Sequence, residues 1–286
     1  MTTSNISDPV GGSPSITGPL FNRFVCDDQL SKAEPFPHSA IGKKADTIAV
    51  ILAGGSGDRF GYRKGKQMIE VLGRPLLSWT LSAFDACEQV ARIVVVCPAS
   101  RIEEYRETAV DPFNFETPID FAQAGILRQE SALNGIALAA SYDYEYIAIH
   151  DGARPLVTAD LIMHALNVLK GTLDADGVVV GHPAIDTMKV IEGDKIVGTP
   201  DRSMFWIAQT PQIFHAQILR QAHAAAMSEG YVGTDDSSLV ERIGGKVLLV
   251  GSSRNNIKVT VPEDIGPVIA ALQTRLTAHH AGEHNG

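Results

Sequence analysis

The chain has 286 residues, enough for one large α/β domain or two small ones with a buried core. It is 44% hydrophobic and 20% charged, the composition of an ordinary soluble globular protein. Its formal net charge of −9 argues against general nucleic-acid binding, because a phosphate backbone needs a basic protein surface.

Cysteine content and hydropathy exclude further classes of protein. Cys26, Cys87 and Cys97 are too few and too irregularly spaced for a disulfide framework or a zinc site, and they fit a reducing cytoplasm. The longest apolar run has the length of a strand, so we expect no membrane span. We therefore predict a cytoplasmic protein.

The two ends of the chain differ in composition from the rest. Residues 1–46 form an N-terminal extension whose first half is rich in Ser, Thr, Gly and Pro, which predicts poor order. This extension lacks the basic start and apolar core of a secretory signal. Residues 276–286 are predicted to be a flexible tail. The folded domain is expected to span residues 47–275.

Within this domain, short apolar runs alternate with helical patterns. The runs are rich in β-branched residues, which is typical of strands buried on both faces of a parallel sheet. The predicted strands are Thr47–Leu52, Arg92–Cys97, Ile119–Ala122, Tyr146–Ile149, Gly177–Val180 and Lys246–Val250. The predicted helices are Pro75–Cys87, Gln129–Ala140, Thr158–Leu169, Ala216–Ser228 and Pro262–Leu276. This alternation predicts an α/β fold with a doubly wound, mostly parallel Rossmann-like sheet.

One segment breaks the alternation. Residues 182–214 form two extended stretches around the turn Glu192-Gly193-Asp194. We predict that this hairpin projects from the domain as an arm. The alternative is an antiparallel edge of the main sheet.

A glycine-rich loop follows the first predicted strand. Residues 52–59 (LAGGSGDR) are small enough for backbone N–H groups to approach a phosphate closely. The loop lacks the Gly-Lys-Ser/Thr ending of a Walker A motif and the glycine spacing of a dinucleotide-binding fingerprint. Arg59 closes the loop and Lys66-Gln67 follows it, so two cations flank the glycines as a triphosphate requires.

Further motifs follow in a fixed order. They are Leu72-Gly73-Arg74-Pro75-Leu76, Gly125-x-x-Arg128-x-x-Ser131, His150-Asp151-Gly152-Ala153-Arg154-Pro155, Asp186-Thr187-Met188-Lys189, Asp201-Arg202 before Gln209-Thr210-Pro211-Gln212, and Asn256-Ile257-Lys258-Val259-Thr260 before Pro262-Glu263-Asp264. With the glycine loop, this set resembles the 2-C-methyl-D-erythritol 4-phosphate cytidylyltransferases, sugar-phosphate nucleotidyltransferases of the non-mevalonate isoprenoid pathway. The resemblance extends over residues 47–275.

The resemblance implies that CTP and a small polyol phosphate, 2-C-methyl-D-erythritol 4-phosphate, react to give 4-diphosphocytidyl-2-C-methyl-D-erythritol and pyrophosphate. A phosphate monoester is already ionised near neutral pH, so its attack on the α-phosphorus needs no general base. Catalysis then depends on alignment and on neutralisation of charge. The resemblance implies Arg59 and Lys66 as catalytic residues, Mg²⁺ as cofactor, and a homodimer in which the arm reaches across the interface.

The same resemblance assigns residues to each substrate. Asp151 is expected near the metal or the ribose, and capping of the following turn is its alternative role. His150 is expected to pack rather than to act as a base. Salt bridges to nearby aspartates are the alternative for the substrate-binding cations. The CTP-binding set is Ala53, Gly54, Gly55, Gly57, Gly125, Arg128, Ser131 and Asp151. The substrate-binding set is Arg154, Thr187, Arg202 and Lys258.

Two positions depart from the family pattern. Gly65 stands where proline usually precedes the Lys-Gln pair, so Lys64 is a rival of Lys66 for the catalytic role, although the neighbouring Gln67 favours Lys66. Ala124-Gly125-Ile126 stands where the family often has Gly-Gly with a following Asp, which puts a side-chain contact to the nucleotide at position 126 in doubt.

Other functions remain open at this point. A ribitol 5-phosphate cytidylyltransferase shares the glycine loop, the Lys-Gln pair and the final lysine. A uridylyl- or guanylyltransferase acting on a hexose phosphate is a second alternative. A catalytically inactive nucleotide-binding module is a third, which the presence of Arg59, Lys66, Arg202 and Lys258 disfavours.

Overall fold

The computed structural model describes residues 45–55, 65–142 and 144–283, with side chains to residue 277. Nearly all of the predicted N-terminal extension lies outside these residues. The strands are β1 Thr47–Leu52, β2 Glu70–Val71, β3 Arg74–Pro75, β4 Val90–Cys97, β5 Ile119–Gln123, β6 Tyr146–Asp151, β7 Gly177–Pro183, β8 Val190–Glu192, β9 Lys195–Gly198, β10 Trp206–His215 and β11 Val247–Gly251. The helices are α1 Leu76–Asp85, α2 Ile102–Ala109, α3 Arg128–Ala139, α4 Ala159–Lys170, α5 Ala216–Glu229, α6 Asp236–Arg242 and α7 Ile265–Glu283.

A seven-stranded sheet in the order β11-β7-β10-β6-β1-β4-β5 forms the centre of the fold. Strand β10 runs antiparallel to β7 and β6, and the remaining pairs of this sheet are parallel. This confirms the predicted mostly parallel α/β fold. Two small sheets, β2-β3 and β8-β9, stand apart from the main sheet.

The core lies on both faces of the sheet, which explains why its strands are apolar without interruption. Successive side chains of a strand point to opposite faces. In β1, Ala49 and Ile51 pack on the face that α1 and α4 cover. Ile48 and Val50 pack on the opposite face, which α3 and α5 cover. Gly135 of α3 allows the helix to lie directly on the sheet, since a Cβ there would come within 2.3 Å of Val50 Cγ1.

The structure differs from the predicted elements in two short helices and at the C-terminal end. Helices α2 and α6 span eight and seven residues and were not predicted. Both are too short to show an extended apolar period. Helix α7 continues to Glu283, whereas the predicted helix ends at Leu276; the flexibility of residues 276–286 stays a prediction. No proline interrupts this stretch, and most of its residues are compatible with a helix.

The predicted arm is shorter than its sequence range. Strand β10 pairs with β7 from Trp206 to Phe214 and with β6 from Gln212 to His215, so it lies inside the main sheet. Residues 184–205 carry the separate β8-β9 hairpin beyond the sheet. The segment thus combines an antiparallel strand of the main sheet with a small hairpin.

The carboxyl ends of β1, β4, β5 and β6 meet at one edge of the sheet, because these strands are parallel. Ligands of open α/β sheets bind at this edge. Thr210 of the antiparallel β10 reaches the same edge, where its Oγ1 accepts a hydrogen bond of 3.1 Å from the Asp151 backbone N–H. Across the described part of the chain, no helix has the length and apolar character needed to cross a membrane.

Candidate active site

Two cavities open at this edge, of about 160 Å³ and about 300 Å³. The first lies between the loops that follow β1 and β5. The second lies against β10 and the segment before α6. Arg128, Asp151 and Lys258 line both cavities and so mark the junction between them.

The glycine loop forms one wall of the first cavity. Gly54 and Gly55 line it. A Cβ on Gly54 would come within 2.3 Å of Ala124 Cβ, so a glycine is needed where the two loops meet. The Ala53 N–H donates to Val96 O at 2.8 Å, and its carbonyl accepts a bond from the Tyr105 hydroxyl at 3.1 Å. Gly57 and Arg59 lie outside the described residues.

The loop before α3 forms the facing wall and is held by its own side chains. Ser131 Oγ accepts a hydrogen bond from the Gly125 N–H at 3.0 Å and donates to Leu127 O at 3.1 Å. Glu130 Oε2 accepts from the N–H groups of Ile126 and Leu127 at 2.7 and 3.2 Å. Ser131 also lines the cavity, but its hydroxyl already holds the loop in shape.

Asp151 is the electrostatic centre of the site. Its carboxylate lies 2.8 Å from Lys258 Nζ, 3.5 Å from Arg154 Nε and 3.8 Å from Arg128 Nε. Burial by itself would raise the pKa of Asp151, but Lys258, Arg128 and Arg154 hold this pKa well below its usual range. The carboxylate is therefore ionised at neutral pH.

Arg154 is a buried cation that borders the second cavity. Its side chain is 11% exposed, and Nη1 donates to Asn256 O at 2.7 Å. Burial lowers the pKa of this guanidinium from its usual value. Asp151 offsets the free-energy cost of burying this cation, and an anion in the cavity would offset it further. Arg154, Lys258 and Arg128 thus place three cations along the second cavity.

Lys66 lines the first cavity. It begins a single 3₁₀ turn, Lys66–Met68, directly after Gly65, whose φ of 75° is in the region that favours glycine. Lys66 and the buried Gln67 both line the cavity. The predicted catalytic lysine thus faces the same space as the glycine loop. Its rival, Lys64, lies outside the described residues.

Comparison with known proteins identifies the family. The model of 2-C-methyl-D-erythritol 4-phosphate cytidylyltransferase matches residues 47–274. The chain belongs to this family. The enzyme of that name from Caldanaerobacter subterraneus subsp. tengcongensis is 41% identical over 228 residues, which are 79% of this chain and 98% of the relative. The one from Geotalea uraniireducens is 40% identical over 218 residues, 76% of this chain and 92% of the relative.

Solved structures of the family agree with this fold. The 4-diphosphocytidyl-2C-methyl-D-erythritol synthase of Anaerococcus prevotii superposes with a TM-score of 0.69 at 27% identity, over 80% of this chain and 98% of the other. The 2-C-methyl-D-erythritol 4-phosphate cytidylyltransferase of Thermus thermophilus superposes with a TM-score of 0.61 at 28% identity, over 78% of this chain and 98% of the other. These relatives carry the methylerythritol name, which supports that substrate over ribitol phosphate, over other nucleotidyl transfers and over an inactive module.

Two of the family positions lie away from the cavities of this cytidylyltransferase chain. Thr187 and Arg202 are exposed on the segment between β7 and β10 and do not line either cavity as the described residues form it. Arg202 Nη1 donates to Ile185 O at 2.7 Å. The structure brings the other described candidates to the cavities or to the loops that form their walls, and it leaves these two on the arm.

Asp151 is the predicted metal ligand of the site. The described residues contain no group of three or more His, Cys, Asp or Glu side chains that could hold a metal ion. Asp151 borders both cavities as a carboxylate that is already paired with cations. Mg²⁺ that arrives with a triphosphate would need at most one or two protein carboxylates, and Asp151 is a carboxylate that borders both cavities.

His150 packs in the core beneath the cytidylyltransferase site. It is fully buried, lies edge-on to Phe84 at 5.0 Å between ring centroids, and its Nδ1 is 3.0 Å from Thr210 Oγ1. Burial lowers the pKa of His150 to about 3. The imidazole is neutral at physiological pH, and its position is that of a packing residue.

Several residues of the site were not predicted from the sequence. Asp236 pairs with Arg128, with 2.7 Å between Oδ2 and Nη1. Gln212 Oε1 accepts from the Asp236 N–H at 3.1 Å. The signal available was the Asp235-Asp236 pair before a short apolar stretch, which is typical of a helix N-terminus. Nothing local indicated that this helix would reach Arg128, 108 residues away in the sequence.

Proposed function

We propose that this chain catalyses the reaction of its family, with CTP and 2-C-methyl-D-erythritol 4-phosphate as substrates. A phosphate oxygen of the polyol attacks the α-phosphorus of CTP. The new bond joins that oxygen to the α-phosphorus, and the bond from the α-phosphorus to the oxygen bridging to the β-phosphorus breaks. Pyrophosphate leaves with this electron pair. The observation that carries the proposal is the cationic junction of two cavities, in a chain whose residues 47–274 match the family.

The two cavities are assigned by what lines them. The first, between Gly54 and Gly125, is assigned to CTP because glycines on both walls allow backbone groups to approach a phosphate or base closely. The second, with Arg154 and the polar side chains of β10, is assigned to the polyol phosphate. Arg128, Asp151 and Lys258 then lie where the attacking and attacked phosphates meet.

The proposed chemistry uses cations rather than a base. Lys66 neutralises charge that develops on the α-phosphate oxygens, and Arg59 is proposed for the same role. Lys258 and Arg154 hold the polyol phosphate, and Asp151 keeps both side chains oriented. Mg²⁺, when bound, supplies charge neutralisation on the triphosphate, with Asp151 as its proposed protein ligand.

The arm is proposed to form a homodimer. Ile191, Ile196 and Val197 are exposed on the β8-β9 hairpin, and Met204 is exposed beyond it. Exposed apolar groups of this kind are typical of a surface that another chain covers. A second copy would also supply a site for Thr187 and Arg202, which lie away from the cavities of their own chain. We further propose a cytoplasmic location, which the free thiols of Cys87 and Cys97 support.

A mixing experiment tests whether the arm serves the partner. Arg202→Ala and Lys66→Ala chains, each with low activity, are expected to regain activity when subunits exchange. Half of the dimers are then mixed, and half of the sites in each mixed dimer hold both residues, so about a quarter of wild-type activity should return. Absence of recovery, with exchange confirmed by a tagged subunit, would show that Arg202 does not act across the interface.

A competition assay tests the substrate. Methylerythritol phosphate has a four-carbon chain with a methyl branch, whereas ribitol phosphate is a straight five-carbon polyol. A pocket fitted to one leaves a methyl contact unfilled and hydroxyl partners displaced with the other. We expect kcat/KM to be at least about tenfold higher for methylerythritol phosphate, with CTP preferred over UTP. Equal or reversed rates would favour the ribitol enzyme instead.

A further inference from the structure

A buried histidine lies behind the site, in contact with one of its charged residues. His223 is on the inward face of α5 among Leu219, Ala222 and Ala226. Its side chain is completely buried, and its Nε2 lies 3.0 Å from Asp236 Oδ1. The other ring nitrogen, Nδ1, is buried and has no hydrogen-bond partner within the part of the chain that the structure describes.

A histidine at this core position lowers the stability of the fold relative to an apolar residue. A leucine would fill an apolar helix face without leaving a ring nitrogen unpaired, and an unpaired buried polar atom lowers stability. The hydrogen bond from Nε2 to Asp236 is therefore the feature that distinguishes His223 from an apolar residue. The role of Asp236 therefore accounts for the presence of a histidine at position 223.

Asp236 connects His223 to the junction of the cavities. Its side chain is 1% exposed, and its two oxygens have different partners: Oδ1 faces His223, and Oδ2 lies 2.7 Å from Arg128 Nη1. The backbone N–H of Asp236 is fixed by Gln212, so the carboxylate has a defined position. With Oδ1 held by the imidazole, Oδ2 is directed at the guanidinium.

We infer that His223 is a positioning residue for cytidylyl transfer, which holds Arg128 at the junction of the two cavities through Asp236. Arg128 is 31% exposed, and Asp151 lies 3.8 Å from its Nε on the cavity side. Without the histidine, Asp236 can turn about its side-chain bonds, and Arg128 can then swing towards Asp151. The guanidinium would leave the place where it meets the nucleotide. This inference rests on the proposed function.

Binding of CTP, measured by calorimetry in buffer with Mg²⁺ and without the polyol, tests the inference. A glutamine can place its amide nitrogen where Nε2 lies, whereas the shorter asparagine cannot reach Asp236. We expect His223→Gln to keep the dissociation constant within about twofold and His223→Asn and His223→Leu to raise it about tenfold. Leu219→Ala, on the same buried face, is expected to lower the melting temperature and leave the dissociation constant unchanged.

A double-mutant cycle decides whether the effect passes through Arg128. In an Arg128→Ala background, His223→Asn should weaken CTP binding no further. Equal affinities of the Gln and Asn variants, or the same additional weakening in the Arg128→Ala background, would overturn the inference. Failure of the proposed function would show separately, as a wild-type chain that binds CTP and does not turn over methylerythritol phosphate.

Discussion

Replacing Lys66 with alanine is expected to lower kcat by about a hundredfold or more, while KM for both substrates changes little. The reason is that Lys66 faces the first cavity beside the glycine loop, where charge accumulates on the α-phosphate during transfer. A group that acts on charge developed in the transition state contributes to kcat rather than to ground-state binding. Steady-state kinetics with pyrophosphate release as the readout measures both constants.

Lys64→Ala is the matched control for this prediction. It removes the same charge two residues away, and its activity is expected to stay near that of the wild type. A Lys64 variant that is inactive beside an active Lys66 variant would reverse the assignment within the loop. An increase in KM with unchanged kcat would instead make Lys66 a binding residue for ground-state CTP.

The fold could be predicted from the sequence largely because its strands are buried on both faces. Runs such as Thr47–Leu52 are then apolar at every position and stand out against the amphipathic helices between them. Strand β10 falls within residues 182–214, which are predicted to be an arm because two extended stretches flank the turn at residues 192–194. Its middle is the polar stretch Gln209-Thr210-Pro211-Gln212. These polar residues are buried in the structure, where they form hydrogen bonds at the cavity edge.

The parts of the candidate site that residues close together in the sequence form could be predicted. The parts that form where residues far apart in the sequence meet could not. The glycine loop and Lys66 lie in a short stretch whose residue types already indicate phosphate binding. Asp151 and Arg154 lie in a short motif through which the chain resembles the family. The contacts of Arg128 with Asp236, and of Asp236 with His223, join segments far apart in the sequence. No local pattern encodes such a pairing, so it emerges only once the sheet brings α3, α5 and α6 together.

Removal of the charge at Asp151 is expected to have the other large effect. Asp151→Asn keeps the shape of the side chain but leaves Lys258, Arg154 and Arg128 facing one another without their shared carboxylate. We expect kcat/KM to fall about a hundredfold, and the free energy of unfolding to fall by roughly 3 kcal/mol, because partners of a removed buried charge stay desolvated. Asp160→Asn, on the exposed first turn of α4, removes an equal charge as a control. It should leave kcat/KM unchanged and lower the free energy of unfolding by less than about 1 kcal/mol, through the helix dipole.

The pH dependence of stability provides an independent check on the same carboxylate. The pKa of Asp151 is held low in the folded chain, so its stabilisation is present above the unfolded pKa of about 4 and is lost as the pH falls towards the folded value. The difference in unfolding free energy between wild type and Asp151→Asn, measured by denaturant titration, should therefore narrow below about pH 4. A difference that stays constant down to the lowest pH at which the chain folds would show that the loss comes from altered packing, and that the three cations do not depend on the Asp151 charge.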